Sequence, residues 1–256
     1  MPLRRLETPV KPAAFDHVRV ASWDEAIAAL ADDALVLAGG QSLMPLLNAR
    51  AVRPARLVDI TGIPGVIRKR GGVLRIDATV RQAALERSRI VAAGWPLLAQ
   101  AVRHVGHPAT RSRGTVGGSA AHGDPRAELI CALAALDARF ELASGRTARG
   151  PLTLAPGDLL VAIEVPPLPE GARTAFLEHA RTSGDFAEAG VAVVLAPGHA
   201  AIAVLGAGRA TAAESALRDG AAAEAVAELA AGLIEGDHRR ALVAELTRRA
   251  LAEVKR

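Results

Sequence analysis

The sequence predicts an α+β chain with a small α/β opening, a middle region of mixed strands and helices, and a closing antiparallel sheet with helices. Three observations carry this. Short apolar runs alternate with amphipathic stretches as far as residue 62. Gly71-Gly72 separates two brief strand candidates, as a tight hairpin turn would. Beyond Pro166-Pro167-Leu168-Pro169, three apolar runs are followed by an alanine-rich helical stretch to Arg256.

Taken in order, Phe15 to Val20 reads as a strand, and Ser22 as the N-cap of a helix from Trp23 to Leu30 with Asp24 and Glu25 in its first turn. Leu35-Val36-Leu37 is too brief for a helix and ends at Ala38-Gly39-Gly40-Gln41-Ser42. Leu43 to Arg50 has helical spacing with Ser42 as its cap, and Leu57 to Ile60 is the next buried strand. Val66 to Arg70 and Val73 to Asp77 form the hairpin. Thr79 is placed to cap a helix through Leu85, and Trp95 to Val105 is another helix. Gly106 to Gly118 shows no periodicity and reads as irregular. Asp124-Pro125 is the N-cap and N1 pair of a helix from Arg126 to Leu136. Ala138 to Leu142 and Leu159 to Val165 are strands. Ala175 to Ala180, Gly190 to Leu195 and Ala200 to Leu205 form the antiparallel set, and Thr211 to Arg256 is helical. Cuts near residues 62 and 172 divide the chain into 1–62, 63–172 and 173–256.

Composition narrows the function. The chain has 256 residues, 50% hydrophobic and 23% charged, a globular balance. Its length allows a core without disulfide or metal staples. Cys131 is its one cysteine, so no internal disulfide forms and a cytoplasmic home is expected. Charge without an apolar run in MPLRRLETPVKP argues against a signal peptide, and no apolar stretch approaches a membrane span. A net charge of +4 with four Phe, two Trp and no Tyr offers no stacking platform for nucleic acid.

Two glycine segments are the candidate binding elements. Ala38-Gly39-Gly40-Gln41-Ser42 lies between a strand and a helix, where glycines let backbone N–H groups approach a phosphate. A tight strand-to-helix turn is the alternative. Arg113-Gly114-Thr115-Val116-Gly117-Gly118-Ser119 supplies hydroxyls and exposed backbone for the other side of a diphosphate, or is an irregular connection needing positive φ. No Gly-Lys-Ser/Thr follows either segment, so neither is a P-loop. In Asp124-Pro125-Arg126-Ala127-Glu128 a carboxylate could accept from ribose hydroxyls; Asp124 is expected to cap a helix, leaving Glu128 freer for a ligand.

Other patterns fall short. Gly206-Ala207-Gly208-Arg209-Ala210-Thr211 lacks the third small residue of a dinucleotide fingerprint. His104, His107, His122 and Asp124 match no common metal spacing. Ser42 is not in a Gly-x-Ser-x-Gly frame, and Cys131 sits in an apolar helix as a core residue. No catalytic acid–base constellation and no metal-ligand set stands out.

Together these segments resemble a family. Ala38 to Pro45, Gly106-His107-Pro108 running into Arg113 to Ser119, and His122 to Glu128 closely resemble the FAD-binding medium subunit of molybdenum hydroxylases, the carbon monoxide dehydrogenase and xanthine dehydrogenase group. The resemblance continues through Asp158-Leu159-Leu160, Arg181 and Gly184-Asp185-Phe186-Ala187 to Asp237 to Arg240 and Arg248 to Leu251. It implies a two-subdomain FAD-binding fold, a small α/β subdomain plus a mixed-sheet middle one, with a C-terminal antiparallel sheet and helices. It implies an FAD-binding oxidoreductase subunit that passes electrons from [2Fe–2S] clusters of a small partner through FAD to an external acceptor. Substrate would react at a molybdenum cofactor in a large partner, in a dimer of heterotrimers. One cysteine is too few for an iron–sulfur cluster here. The positions carried over are Val36, Leu37, Ala38, Gly39, Gly40, Gln41, Ser42, Leu43, Thr115, Val116, Gly117, Gly118 and Ser119, with Val105 also touching FAD, Glu128 near the adenosine, and Leu160 at the ring system; Asp124 is counted with them as a cofactor-binding candidate. There are departures: Leu177-Glu178 stand near a position where many relatives carry lysine, residues 146–153 are short, and no tyrosine is present to cover the isoalloxazine ring. A free-standing flavin oxidoreductase and a non-catalytic scaffold with a degenerate flavin site are the alternative functions.

Overall fold

The computed structural model describes residues 11–155 and 157–256. The signal-peptide expectation rests mainly on residues 1–10 and lies outside the described residues. The chain opens with β1 (Asp16–Arg19), α1 (Trp23–Ala29), β2 (Ala34–Leu37), α2 (Leu43–Asn48) and β3 (Arg56–Asp59). The three strands form a parallel sheet in the order β1-β3-β2. Ser22 caps α1 by accepting from the Glu25 N–H, and the Glu25 carboxylate accepts from Ala21 N at 2.8 Å. Ser42 does not cap α2. Its backbone is already helical at φ −95°, ψ −41°, so its hydroxyl does not curl over the first turn. Val20, Ala26, Val58, Ile60 and Ile63 make a small core that Leu159 joins from the middle region.

The middle region starts with β4 (Ile67–Arg70) and β5 (Val73–Asp77). Gly71 and Gly72 both have positive φ, which a two-residue turn of this hand requires. Six short helices follow: α3 (Gln82–Glu86), α4 (Arg89–Gly94), α5 (Pro96–Val102), α6 (Pro108–Arg113), α7 (Val116–His122) and α8 (Glu128–Ala135). Then come β6 (Arg139–Leu142), β7 (Thr147–Arg149) and β8 (Leu160–Val165). The sheet order is β4-β5-β8-β6-β7, and every pairing is antiparallel rather than mixed. The reason is β8, which inserts between β5 and β6 and opposes both, so those two parallel strands never pair.

Several boundaries differ from expectation. The stretch 106–118 carries α6 and the start of α7 instead of an irregular connection. Thr79 caps nothing; α3 starts three residues later, and the Thr79 hydroxyl is buried without a partner. Asp124 does not cap α8 either. Its Oδ1 accepts from Arg126 N at 2.9 Å, closing a local turn, and Ala127 takes the extended cap position before Glu128.

The last region holds β9 (Arg173–His179), β10 (Ala189–Ala196), β11 (His199–Val204) and β12 (Gly208–Arg209), all antiparallel in the order β12-β11-β10-β9. Helices α9 (Thr211–Arg218), α10 (Ala223–Ala231) and α11 (Asp237–Lys255) follow. The strand period sorts side chains cleanly. Val191, Val193, Ile202 and Val204 pack with the closing helices, while Ala192, Val194, Ala201 and Ala203 join the core under α5 and α8. Both faces are covered, which is why β10 and β11 read as continuous apolar runs. Cys131 is buried against this sheet, its Sγ 3.4 Å from Ala203 O, and burial pushes its thiol up to about 12. Among the described residues, no helix is long and apolar enough to cross a membrane.

The Gly206 to Thr211 stretch forms a sheet edge and clamp. Buried Glu214 accepts from Ile202 N at 2.9 Å and from Arg209 Nη2 at 2.7 Å. Glu214→Ala leaves a buried backbone N–H without an acceptor and a half-buried guanidinium without its carboxylate, so we expect a loss of about 3 kcal/mol in urea unfolding. An unchanged midpoint would contradict this role.

Candidate functional site

The two glycine segments meet. A Cβ on Gly39 would lie 2.5 Å from Arg113 O and 2.7 Å from Gly114 Cα, so main chain rests on main chain. A Cβ on Gly118 would lie 3.5 Å from Ala38 Cβ. Beside this contact opens a cleft of about 740 Å³. That size suits a large cofactor.

The cleft is lined by Val36, Ala38, Gly39, Gly40, Gln41, Ser42 and Leu43 from the first segment. Thr115, Gly117, Gly118 and Ser119 line it from the second, with Val105, Asp124, Glu128 and Leu160. Leu37 and Val116 do not line it. Leu37 packs near Gly40, and Val116 is buried in the main core.

The two segments present different chemistry. Gly40 has φ +73°, which turns the chain out of β2, and Met44 N returns to Gly40 O at 3.0 Å. Among the described residues, the N–H groups of residues 39 to 42 have no acceptor. These are free donors at a strand-to-helix turn. The second segment departs from the expectation of exposed amides. Val116 N donates to Val80 O, Gly117 N to Ala78 O, Ser119 N to Thr115 O and Gly118 N to Thr115 Oγ1. Nor do Gly117 and Gly118 have positive φ. Their small size is what matters: a Gly117 Cβ would lie 2.5 Å from Ala78 Cα. What remains for a ligand here is close approach and the hydroxyl hydrogens of Thr115 and Ser119.

The carboxylates differ in environment. Burial raises the Asp124 carboxyl, but hydrogen bonds from Arg126 outweigh this and hold it below the ordinary range. Glu128 is only 4% exposed, and burial pushes it up to about 7. His104 Nδ1 lies 3.1 Å from Glu178 Oε1, and that contact raises the imidazole. His107 packs on Gly184, and His122 lines the cleft. Among the described residues, no three such side chains are placed to hold a metal ion.

Two residues were given no site role from the sequence. Phe186 is 54% exposed at the cleft, with the Arg126 guanidinium 4.1 Å from its ring centroid. In the sequence it stood only within Gly184-Asp185-Phe186-Ala187, with no role assigned to it. Arg111 is 8% exposed and donates to Glu86, Val105 O and Gly106 O. It fixes the backbone that presents Val105, and nothing local marks it.

Comparison with known proteins identifies the family. A family model described as the FAD-binding domain in molybdopterin dehydrogenase matches residues 13–168. The 6-hydroxypseudooxynicotine dehydrogenase complex subunit alpha of Paenarthrobacter nicotinovorans is 42% identical, over 73% of this chain and 68% of that protein. The carbon monoxide dehydrogenase medium chain of Afipia carboxidovorans is 36% identical over 72% and 69%. In structure, a chain of carbon monoxide dehydrogenase from Hydrogenophaga pseudoflava matches with TM-score 0.88 at 33% identity, covering 95% of this chain and 98% of that one. The α+β class holds across that match. The chain belongs to the family of FAD-binding domains in molybdopterin dehydrogenases and is an FAD-binding oxidoreductase subunit.

Proposed function

We propose that the cleft holds FAD with its diphosphate on the free N–H groups of residues 39 to 42, across from the Thr115 and Ser119 hydroxyls. The observation that carries this is the main-chain contact of Gly39 on Arg113 and Gly114, which makes one cleft of two segments distant in sequence. The residues fit the group: donors without acceptors stand where an anion would sit, and a Cβ has no room beside them. Val36, Val105 and Leu160 supply apolar walls, and Glu128 lies on the adenosine side. Bound FAD accepts and releases electrons, and the protein positions it and sets its surroundings.

In this reading the subunit relays electrons from [2Fe–2S] clusters of a small partner to an external acceptor. A large partner carries the molybdenum cofactor, and two such trimers pair in the cytoplasm. Relatives named as a medium chain and as a complex subunit support the division of labour. A cut near 62 divides the two FAD-holding regions, and one near 172 separates them from the closing sheet. Titration of the purified chain with FAD tests the core of the proposal. One equivalent should bind and quench flavin fluorescence; a chain that takes up none would leave only a scaffold role. Co-purification with both partners tests the assembly.

Phe186 covers the cleft mouth in the absence of any tyrosine. Phe186→Ala should weaken FAD binding by about 1 kcal/mol, roughly fivefold, and raise the access of iodide to the bound flavin. Unchanged quenching would place Phe186 away from the ring.

A further inference from the structure

We propose that Glu128, Glu178 and His104 form a proton-accepting group whose member in the cleft wall is Glu128, and that FAD binding is coupled to the uptake of one proton by this group. The inference rests on the FAD reading above and adds to it a linkage with pH.

The geometry is an uneven count of charges. Glu128, at the start of α8, lines the cleft and is almost fully buried. Glu178, on β9, has an 8% exposed side chain. One of its oxygens meets the His104 imidazole, and the other, Oε2, is buried with no hydrogen-bond partner. His104 follows α5, and its ring packs on Phe176 at a centroid distance of 5.4 Å. Two buried acids therefore face one base. If His104 is charged and paired with Glu178, the pair is neutral and Glu128 carries the excess negative charge.

The surrounding groups do not cancel that charge. Asp124, just before α8, is negative and committed to Arg126. Cys131, one turn along α8, remains a neutral thiol. His122 acts on Asp124. Of these neighbours, His104 alone pulls the Glu128 proton affinity down; Glu178 and Asp124 push it up. Burial is the largest influence and pushes the Glu128 carboxyl up to about 7, against the lowering effect of a backbone hydrogen bond.

FAD would disturb this balance in one direction. It brings a diphosphate of negative charge and covers the cleft surface on which Glu128 opens. Both changes disfavour the carboxylate. Above neutrality, where Glu128 in the free chain is mostly ionised, binding draws a proton from solvent. Below it, Glu128 already holds the proton and none is taken up. FAD affinity should then weaken by up to tenfold for each pH unit above about 7.

Calorimetric titration of the FAD-free chain with FAD, in two buffers of different ionisation enthalpy, reads the proton directly. Uptake should approach one proton at pH about 8 and fall towards zero at pH about 6. Glu128→Gln should bind FAD with a pH-independent affinity and no uptake. A second measurement needs no variant: in carboxyl-carbon NMR of the free chain, one glutamate should titrate near neutrality. FAD binding with equal heats in both buffers at every pH would overturn the coupling and leave the FAD site standing. Absence of FAD binding would overturn the site and the coupling together.

Discussion

Gly39→Ala should abolish FAD retention. The added methyl group would sit 2.5 Å from Arg113 O and 2.7 Å from Gly114 Cα, far inside contact distance. Neither neighbour is a flexible side-chain end. Arg113 closes α6, and Gly114 is tied by its N–H to Thr110 O at 2.7 Å and by its carbonyl to Gln82 N at 2.9 Å. The β2–α2 turn must therefore move, and it carries the free donors with it. Overpacking of this kind costs about 1–3 kcal/mol before any ligand term. Loss of the donor geometry brings the expected drop in FAD affinity to roughly 100-fold or more. Flavin content of the purified variant, with circular dichroism as a check on folding, measures this. Full flavin content would mean the two segments are not held together as described. Gly117→Asp is less telling, because a Gly117 Cβ already meets Ala78 and packing fails before charge matters.

Arg111→Ala should be as destabilising as Glu214→Ala and should weaken FAD binding as well. The buried guanidinium donates to Glu86 Oε2 at 2.9 Å, Val105 O at 3.0 Å and Gly106 O at 3.1 Å. Truncation strands a partly buried carboxylate and two carbonyls, for an expected loss of about 3 kcal/mol. Arg111→Lys should recover little, since an ammonium cannot reach both sides of the fork. FAD affinity should fall as well, because Val105 lines the cleft. Urea unfolding and FAD titration check the two effects. A stability change below about 0.5 kcal/mol would remove Arg111 from the account.

Local chemistry made much of the architecture legible. The Gly71-Gly72 hairpin, the Ser22 cap and the β2–glycine–α2 passage each depend on neighbours in sequence. The misreadings share a cause. Ser42, Thr79 and Asp124 all have the right side chain for a cap, but capping depends on the backbone of the next residues, which packing decides. Helices α6 and α7 span six and seven residues, one opening on Pro108 and the other carrying Gly117-Gly118, too short to show a period. They stand because Gly117 fits against Ala78 and Gly39 against Gly114. Those same contacts use up the amides of the second segment, so its exposed-backbone reading could not survive folding. The sheet order was hidden because β8 reaches its place between β5 and β6 only after the helices and β7 have been threaded.

One FAD diphosphate is proposed to lie between the two glycine segments. A crystal structure of the chain with FAD tests it most directly. Phosphate oxygens should accept hydrogen bonds from the N–H groups of residues 39 to 42 while facing the Thr115 and Ser119 hydroxyls. A diphosphate found away from residues 39 to 42, or touching one segment with the other turned aside, would contradict it.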